Sequence, residues 1–278
     1  MAEISAALVK AFRERTGLPL MDCKKALQEA GGDEAKAIEI LRKEGKKLAD
    51  KRSDRETAFG RFGIYASVDG PRAAMVELKC ESAPVASNTE FIQLAQDLAE
   101  VLATGPGAAT AEELLAQQSP SKPGMTLGEQ RDELFNRIRE VFNIGRMVRL
   151  DGGAGGYSHN AGITAGVLVG VSGGNNDAAK DVAMHVAAMR PAALSSNELD
   201  PALVQKEREI LRAAALNEGK PESIVDKMVE GRIRQFFAEK CLLDQPFVKD
   251  DKQTVQQYAK QHGMTVKNFH MWVMGEAD

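Results

Sequence analysis

Cysteine, aromatic residues, excess positive charge and long apolar runs are all scarce in this 278-residue sequence. Cys23, Cys80 and Cys241 lie far apart, which argues against a disulfide framework and favours a reducing, cytoplasmic compartment. Lysine and arginine total 36 against 40 acidic residues, so no global basic surface for nucleic acid or anionic lipid is expected. Aromatic residues are only 5% of the chain, too few for base-stacking platforms. The most apolar run, residues 161–171, is interrupted by glycines and too short to span a membrane.

The first 45 residues predict a compact three-helix module. Apolar residues recur at helical spacing in three short segments, which are separated by Gly17 and by Gly31-Gly32. A densely charged stretch follows, and we predict a linker over residues 46–58. A phosphate-binding tail is the alternative for this stretch, but acidic residues interrupt its basic ones.

Two related α+β subdomains with antiparallel sheets are predicted for the rest of the chain, over residues 59–142 and 143–278. In the first, alternating strands flank Asp69-Gly70, a strong hairpin-turn signal, and a helical pattern follows at 89–103. Strand, turn, strand and helix then recur over 143–190.

A helical hairpin is predicted at residues 201–240, inserted in the second subdomain. Two long helical patterns are joined by a short turn at 217–221, so the helices are expected to run antiparallel. A last helix at 253–262 and a last strand at 268–274 complete the chain.

No constellation of catalytic residues is evident, so neither an enzyme nor a bound cofactor or metal is expected. The glycine-rich stretch 151–174 contains no dinucleotide or P-loop motif, which favours hairpin turns over a nucleotide loop. Nothing near Cys80 would lower the pKa of its thiol. His185 lies in the segment M-H-V-A-A-M, where composition favours a satisfied, semi-buried histidine over a catalytic base.

A short uncharged turn follows the second predicted strand, in the segment K-C-E-S-A-P-V-A-S-N-T-E at 79–90. It carries no charge from Ser82 to Ala86, and Pro84 biases Ala83 toward an extended backbone. The turn is therefore predicted to present a small apolar tip.

Several segments resemble the elongation factor Ts family. The longest is the N-terminal signature I-S-A-A-L-V-K-A-F-R-E-R-T-G-L-P-L-M-D-C-K-K-A-L-Q-E-A-G-G-D at 4–33. Further matches are A-M-H-V-A-A at 183–188, G-K-P-E-S-I-V-D-K-M-V-E-G-R at 219–232 and L-L-D-Q-P-F-V-K-D at 242–250. They are colinear, so the resemblance covers essentially the whole chain.

The resemblance implies a ubiquitin-associated-type N-terminal module, a core of two α+β subdomains and an inserted coiled-coil hairpin. It also implies a guanine-nucleotide exchange factor in translation, whose partner is the GTPase elongation factor Tu. Such a factor loosens the Mg²⁺ and phosphate site of the GTPase and releases GDP. Whether the hairpin also pairs two copies of the chain stays open.

The resemblance also assigns contact residues. Leu20 and Met21 match an exposed apolar pair that packs on the nucleotide domain of the GTPase, and Arg13 matches a polar contact nearby. His185 matches a histidine that is pressed against the GTPase and helps to shift its phosphate loop. Residues 253–274 correspond to a surface that meets another domain of elongation factor Tu.

The turn departs from the family's pattern, T-D-F-V-A, whose aspartate and phenylalanine insert between two helices of the GTPase. The corresponding residues here are Ser82, Ala83, Pro84, Val85 and Ala86, so the carboxylate and the ring are both missing. The turn is interpreted as a blunted wedge. The alternative is a paralogue that binds elongation factor Tu with weak or no exchange. Two less favoured readings are a ubiquitin-associated-type module on an unrelated scaffold and a small-molecule enzyme.

Overall fold

The computed structural model describes residues 4–219 and 221–276. Lys220, in the predicted turn of the hairpin, lies outside the described residues, as do the first three residues of the predicted module and residues 277–278. Among the helices in the described ranges, none combines the length and apolarity that crossing a membrane requires.

The N-terminal module is helical, as predicted, with α1 (Ala6–Thr16), α2 (Leu20–Glu29) and α3 (Glu34–Asp50). The side chains of Ser5 and Asp33 accept backbone N–H groups at the starts of α1 and α3. Gly17 ends α1 with a φ of 68°, a conformation that favours glycine. The core of the module consists of Val9, Phe12, Cys23, Ala26, Leu27, Ala37 and Leu41.

α3 extends to Asp50 and so takes in the first part of the segment that the sequence predicts as a linker over 46–58. Leu48 and Ala49 pack against the core of the neighbouring unit. Gly45 lies so close to Asn136 that a Cβ at position 45 would fall 1.7 Å from its Oδ1 atom. The helix continues because Leu41, Gly45 and Leu48 form one stripe at helical spacing, and it joins the module to the core.

The first sheet is antiparallel, in the order β1 (Phe59–Tyr65), β2 (Arg72–Cys80) and β3 (Asn143–Asp151). The predicted hairpin of β1 and β2 is present, but its connection spans residues 66–71, and its turn closes from the N–H of Gly70 to the carbonyl of Ser67 at 3.2 Å. The helices of this unit are α5 (Thr89–Thr104), α6 (Ala111–Leu115) and α7 (Leu127–Ile138). Phe91 and Phe142 meet edge to face in its core, with ring centroids 5.3 Å apart.

β3 pairs with β2, with Arg72 opposite Asp151 and Lys79 opposite Asn143. The predicted boundary at residue 143 therefore falls inside the first sheet, and β3 does not open the second. The alternation of a strand gives its two faces but not its neighbour, and proximity in sequence favours the following strand over β2.

The second sheet is antiparallel, in the order β4 (Ala154–His159), β5 (Ala165–Gly173) and β8 (Met264–Val273). Packed with it are α8 (Asn176–Met189), α11 (Val255–Gln261) and the short pair β6 (Pro246–Phe247) and β7 (Asp250–Thr254). The two sheets meet closely at Gly166, where a Cβ would lie 2.5 Å from Cγ of Phe62.

The predicted helical hairpin is present as α9 (Pro201–Asn217) and α10 (Glu222–Lys240). Ala215, Val225, Val229 and Ile233 are buried between its helices. Across the helices, Arg232 pairs with Glu218 at 2.9 Å. The predicted fold class is thus confirmed: helices combine with small antiparallel sheets, and the hairpin stands between α8 and β6.

Candidate partner-binding surface

The turn after β2 folds as a single helical turn, α4 (Ala83–Ala86). The N–H of Ala86 donates to the Ser82 carbonyl at 3.2 Å, and that of Asn88 to the Val85 carbonyl at 2.9 Å. Pro84 lies in the first turn, where its missing N–H leaves no helical hydrogen bond unmade. The expectation of an extended Ala83 is therefore wrong, because the closing hydrogen bonds outweigh the preference of a residue that precedes proline.

The two faces of this turn differ in exposure. Val85 and Ala86 are buried in the first core, with 9% and 8% of their surface exposed. Ala83 and Pro84 are exposed, and Ser82 is half-buried. The expectation that Val85 belongs to the exposed tip is corrected, because one helical turn directs residues 83–84 outward and 85–86 inward. The surface that the turn offers is small and uncharged.

Arg139 and Glu140, the two residues after α7, connect the N-terminal module and the turn to the end of that helix. Glu140 accepts a hydrogen bond from the Ser82 hydroxyl at 2.6 Å, and the guanidinium of Arg139 is paired with Asp22. The carbonyl of Arg139 accepts from Arg52, just after α3, at 2.6 Å. Arg139 ends α7 with a φ of 66°, which is uncommon for arginine. The link between the predicted contacts on α2 and on the turn thus runs through adjacent residues.

The predicted apolar pair of the module is exposed at the start of α2, where Leu20 and Met21 show 49% and 59% of their surface. Asp22, the next residue, carries the ion pair to Arg139, while Cys23 turns into the core of the module. Arg13 is exposed on α1. The pair therefore lies beside the point at which the module is tied to the core.

His185 lies apart from these contacts, fully buried on α8 in the second core unit. Its Nδ1 atom accepts the N–H of Val248 at 3.1 Å, so the proton is on Nε2, which lies 2.9 Å from Oε1 of Gln245. Burial lowers the pKa of His185, while the hydrogen bond with Gln245 opposes that shift. The structure thus corrects the expectation of a histidine pressed against a partner: both ring nitrogens are engaged inside the chain.

The connection between β6 and β7, whose backbone His185 binds, reaches the surface. Val248 exposes 50% of its surface between β6 and β7, and Lys249 beside it pairs with Asp181 at 2.6 Å. Asp181 and His185 are four residues apart on α8, so one face of that helix fixes the segment twice. Phe247 points inward and stacks on Tyr258, with centroids 4.1 Å apart. Val248 was not among the predicted contacts, although buried Phe247 followed by exposed Val248 is the alternation of an edge segment.

The described residues hold no group of three or more histidines, cysteines and carboxylates placed to bind a metal ion. Burial raises the pKa of the Cys80 thiol to about 12 and that of Cys241 to about 11, so both stay protonated at neutral pH.

Comparison with known proteins agrees with this description. The family model described as "Elongation factor TS" matches residues 83–276. The chain is 45% identical over 278 residues to elongation factor Ts of Azoarcus sp. (strain BH72), covering 99% of this chain and 92% of that protein. It is 44% identical over 276 residues to elongation factor Ts of Methylococcus capsulatus, covering 98% and 92% of the two chains.

These matches define a translation elongation factor with a mixed helix-and-sheet fold. The chain belongs to the elongation factor Ts family.

Proposed function

We propose that this chain binds elongation factor Tu carrying GDP and promotes the release of GDP and its exchange for GTP. Membership of the elongation factor Ts family supports this function. The observation that carries the proposal is the joint anchoring of two exposed sites by consecutive residues: Arg139 holds the start of α2, and Glu140 holds the turn. Two contacts fixed relative to each other bind a rigid partner without a large ordering cost.

The apolar pair at the start of α2 supplies affinity in this proposal. Leu20 and Met21 are both about half exposed, and Met adapts well to an apolar surface. Their burial against the nucleotide domain of the GTPase gives the complex a contact remote from the Mg²⁺ site. Exchange requires, in addition, contacts that are stronger when GDP is absent. Each tenfold weakening of GDP binding needs about 1.4 kcal/mol of difference in contact free energy between the two states.

Those differential contacts come from the turn and from the Val248 segment. Ala83 and Pro84 push against the partner as a small rigid tip, and Ser82 sets the angle of that tip through Glu140. His185 acts from inside by fixing the backbone of Val248, which reaches the partner in its place. We therefore assign His185 a positioning role.

The alternative function is binding of elongation factor Tu with weak or no exchange. It is favoured by one observation, the absence of a carboxylate and an aromatic ring from the exposed part of the turn, Ser82-Ala83-Pro84. In both proposals the chain works in the cytoplasm on a protein partner, as an exchange or regulatory factor and not as an enzyme. Neither proposal involves nucleic acid or a membrane.

A second copy of the chain is a further candidate partner, through the hairpin. Leu203 and Ile210 expose 47% and 53% of their surface and lie seven residues apart, on one face of α9. Sedimentation of the isolated protein over a range of concentrations tests this, and Leu203→Ala/Ile210→Ala would then shift any dimer toward monomer.

The test of exchange uses elongation factor Tu from the same organism, loaded with fluorescent GDP and mixed with excess unlabelled nucleotide. The wild-type chain is compared with Ala83→Asp/Pro84→Phe and Leu20→Ala/Met21→Ala, and Leu216→Ala/Ile224→Ala, which truncates two exposed side chains outside the proposed contacts, is the control. We expect fast release with the wild type, slower release without the apolar pair and no change in the control. Binding without faster release, with release restored by the changes at 83 and 84, would establish the alternative.

A further inference from the structure

Phe59 is an exposed aromatic residue at the start of β1. In the described ranges, 4–219 and 221–276, it is the only phenylalanine, tyrosine or tryptophan that is exposed, with 45% of its surface accessible. Single exposed apolar residues are common on proteins, so exposure by itself assigns no role. A role for Phe59 is indicated instead by its position.

Phe59 lies beside the turn. It opens β1 opposite Cys80, the last residue of β2, and Cys80 leads into the turn with its Sγ atom 3.3 Å from the Ser82 carbonyl. Two residues further on, Nε of Arg61 donates to the carbonyl of Ala86 at 2.6 Å. The start of β1 and the helical turn therefore form one continuous piece of surface.

A groove of about 500 Å³ runs along this surface. Its lining includes Phe59, Ala83 and Ile163, and Ile163, from the connection between β4 and β5, exposes 54% of its surface. Met274, just after β8, also lines the groove. The groove thus brings the ring of Phe59 and the side chains of Ile163 and Met274 together with Ala83 of the turn, and Arg61 and Glu276 add charge to its lining.

The backbone under Phe59 is held tightly. At Gly60, a Cβ would fall 2.2 Å from the Leu78 carbonyl oxygen and 2.8 Å from Cε of Met274, so β1 lies close against both β2 and the C-terminal segment. Phenylalanine has only two side-chain torsions, so a ring carried on a fixed backbone loses little entropy when a partner covers it. These are the properties of an aromatic residue that contributes strongly to an interface.

We propose that Phe59 supplies the aromatic contact with elongation factor Tu that the turn itself lacks. The ring enters the partner from the neighbouring strand, beside Ala83, with which it lines the groove, and supplies an apolar contact that the turn itself does not offer. This inference rests on the proposed binding of elongation factor Tu and extends it to a residue outside the turn.

A double-mutant cycle tests the proposal by measuring release of fluorescent GDP at factor concentrations below saturation. Phe59→Ala is expected to slow factor-dependent release about tenfold, the typical effect of truncating an aromatic anchor. Pro84→Phe is expected to change the wild-type rate less than about twofold, yet to recover most of the loss in the Phe59→Ala background, because a ring at either position can supply the one aromatic contact.

The matched control is Leu216→Ala, which truncates a side chain of equal exposure, 45%, on the hairpin, and it is expected to leave release unchanged. Phe59→Leu keeps an apolar side chain without the ring and is expected to retain an intermediate rate. Thermal unfolding of each variant separates loss of contact from loss of fold.

The role of Phe59 would be overturned if Pro84→Phe raised the release rate equally in the wild-type and Phe59→Ala backgrounds. It would also be overturned if the Phe59→Ala variant released GDP as fast as the wild type. An equal loss in the Leu216→Ala control would overturn it too. A wild-type chain that binds without accelerating release would instead remove the exchange function, and the cycle read out as affinity would still decide whether Phe59 contacts the partner.

Discussion

Replacing His185 with alanine removes a fully buried side chain that both ring nitrogens tie to the rest of the chain. The variant leaves Oε1 of Gln245 without its donor and the N–H of Val248 without its acceptor. It also opens a cavity beside Phe247, whose ring centroid lies 5.7 Å from that of the imidazole. His185→Asn is the matched variant, because its Oδ1 atom can accept the N–H of Val248 in place of Nδ1.

The expected loss follows from these contacts. An unsatisfied buried polar group costs about 1–3 kcal/mol, and the missing ring adds a cavity term. We therefore expect His185→Ala to lower the free energy of unfolding by about 3 kcal/mol, with His185→Asn losing about half as much. Val248→Ala truncates an exposed side chain and should change stability by less than about 0.5 kcal/mol.

Urea unfolding and affinity for elongation factor Tu are the two measurements. If His185 acts through Val248, Val248→Ala weakens binding at unchanged stability, and His185→Asn binds better than His185→Ala. The reasoning would be refuted if His185→Ala kept full stability and lost exchange, because the ring would then reach the partner directly.

Three further predictions concern the anchors of the surface and its pH dependence. Arg139→Gly removes the ion pair with Asp22 but suits the positive φ of that position. Affinity for elongation factor Tu should therefore fall, while the free energy of unfolding stays within about 1 kcal/mol of the wild-type value. Gly166→Val should force the two sheets apart and lower stability by at least about 3 kcal/mol in urea unfolding, and near-wild-type stability would contradict the close packing there. Burial lowers the pKa of both His185 and His270, so their contribution to stability is present above the unfolded pKa of about 6.5 and is lost as pH falls below it. The fall in the urea midpoint between about pH 7.5 and 5.5 should be shallower in His185→Asn, and an equal slope would contradict the burial of a neutral ring.

Much of the fold follows from local patterns. Helical periodicity and the glycine stops predict the N-terminal module, and Asp69-Gly70 predicts the first hairpin turn, because each depends on residues close in sequence. The pairing of β3 with β2 depends on residues distant in sequence, and the sequence of one strand does not specify which strand pairs with it. The length of α3 was missed because a charged surface obscured its narrow apolar stripe at Leu41, Gly45 and Leu48.

The candidate surface divides in the same way. Leu20 and Met21 are expected to be exposed because of the resemblance to the family, and they are exposed in the structure. Val85 and His185 are buried, because the geometry of one helical turn and a hydrogen-bonded segment distant in sequence decide their exposure. Arg139 and Phe59 carry no motif, and only the folded chain places them beside the turn.

The most direct test of the central claim is the rate at which fluorescent GDP leaves elongation factor Tu of the same organism, measured with rising concentrations of the wild-type chain. The account predicts a release rate that rises steeply and saturates as the complex forms, without any change to residues 83 and 84. A release rate that stays at the spontaneous value while the two proteins bind would contradict it.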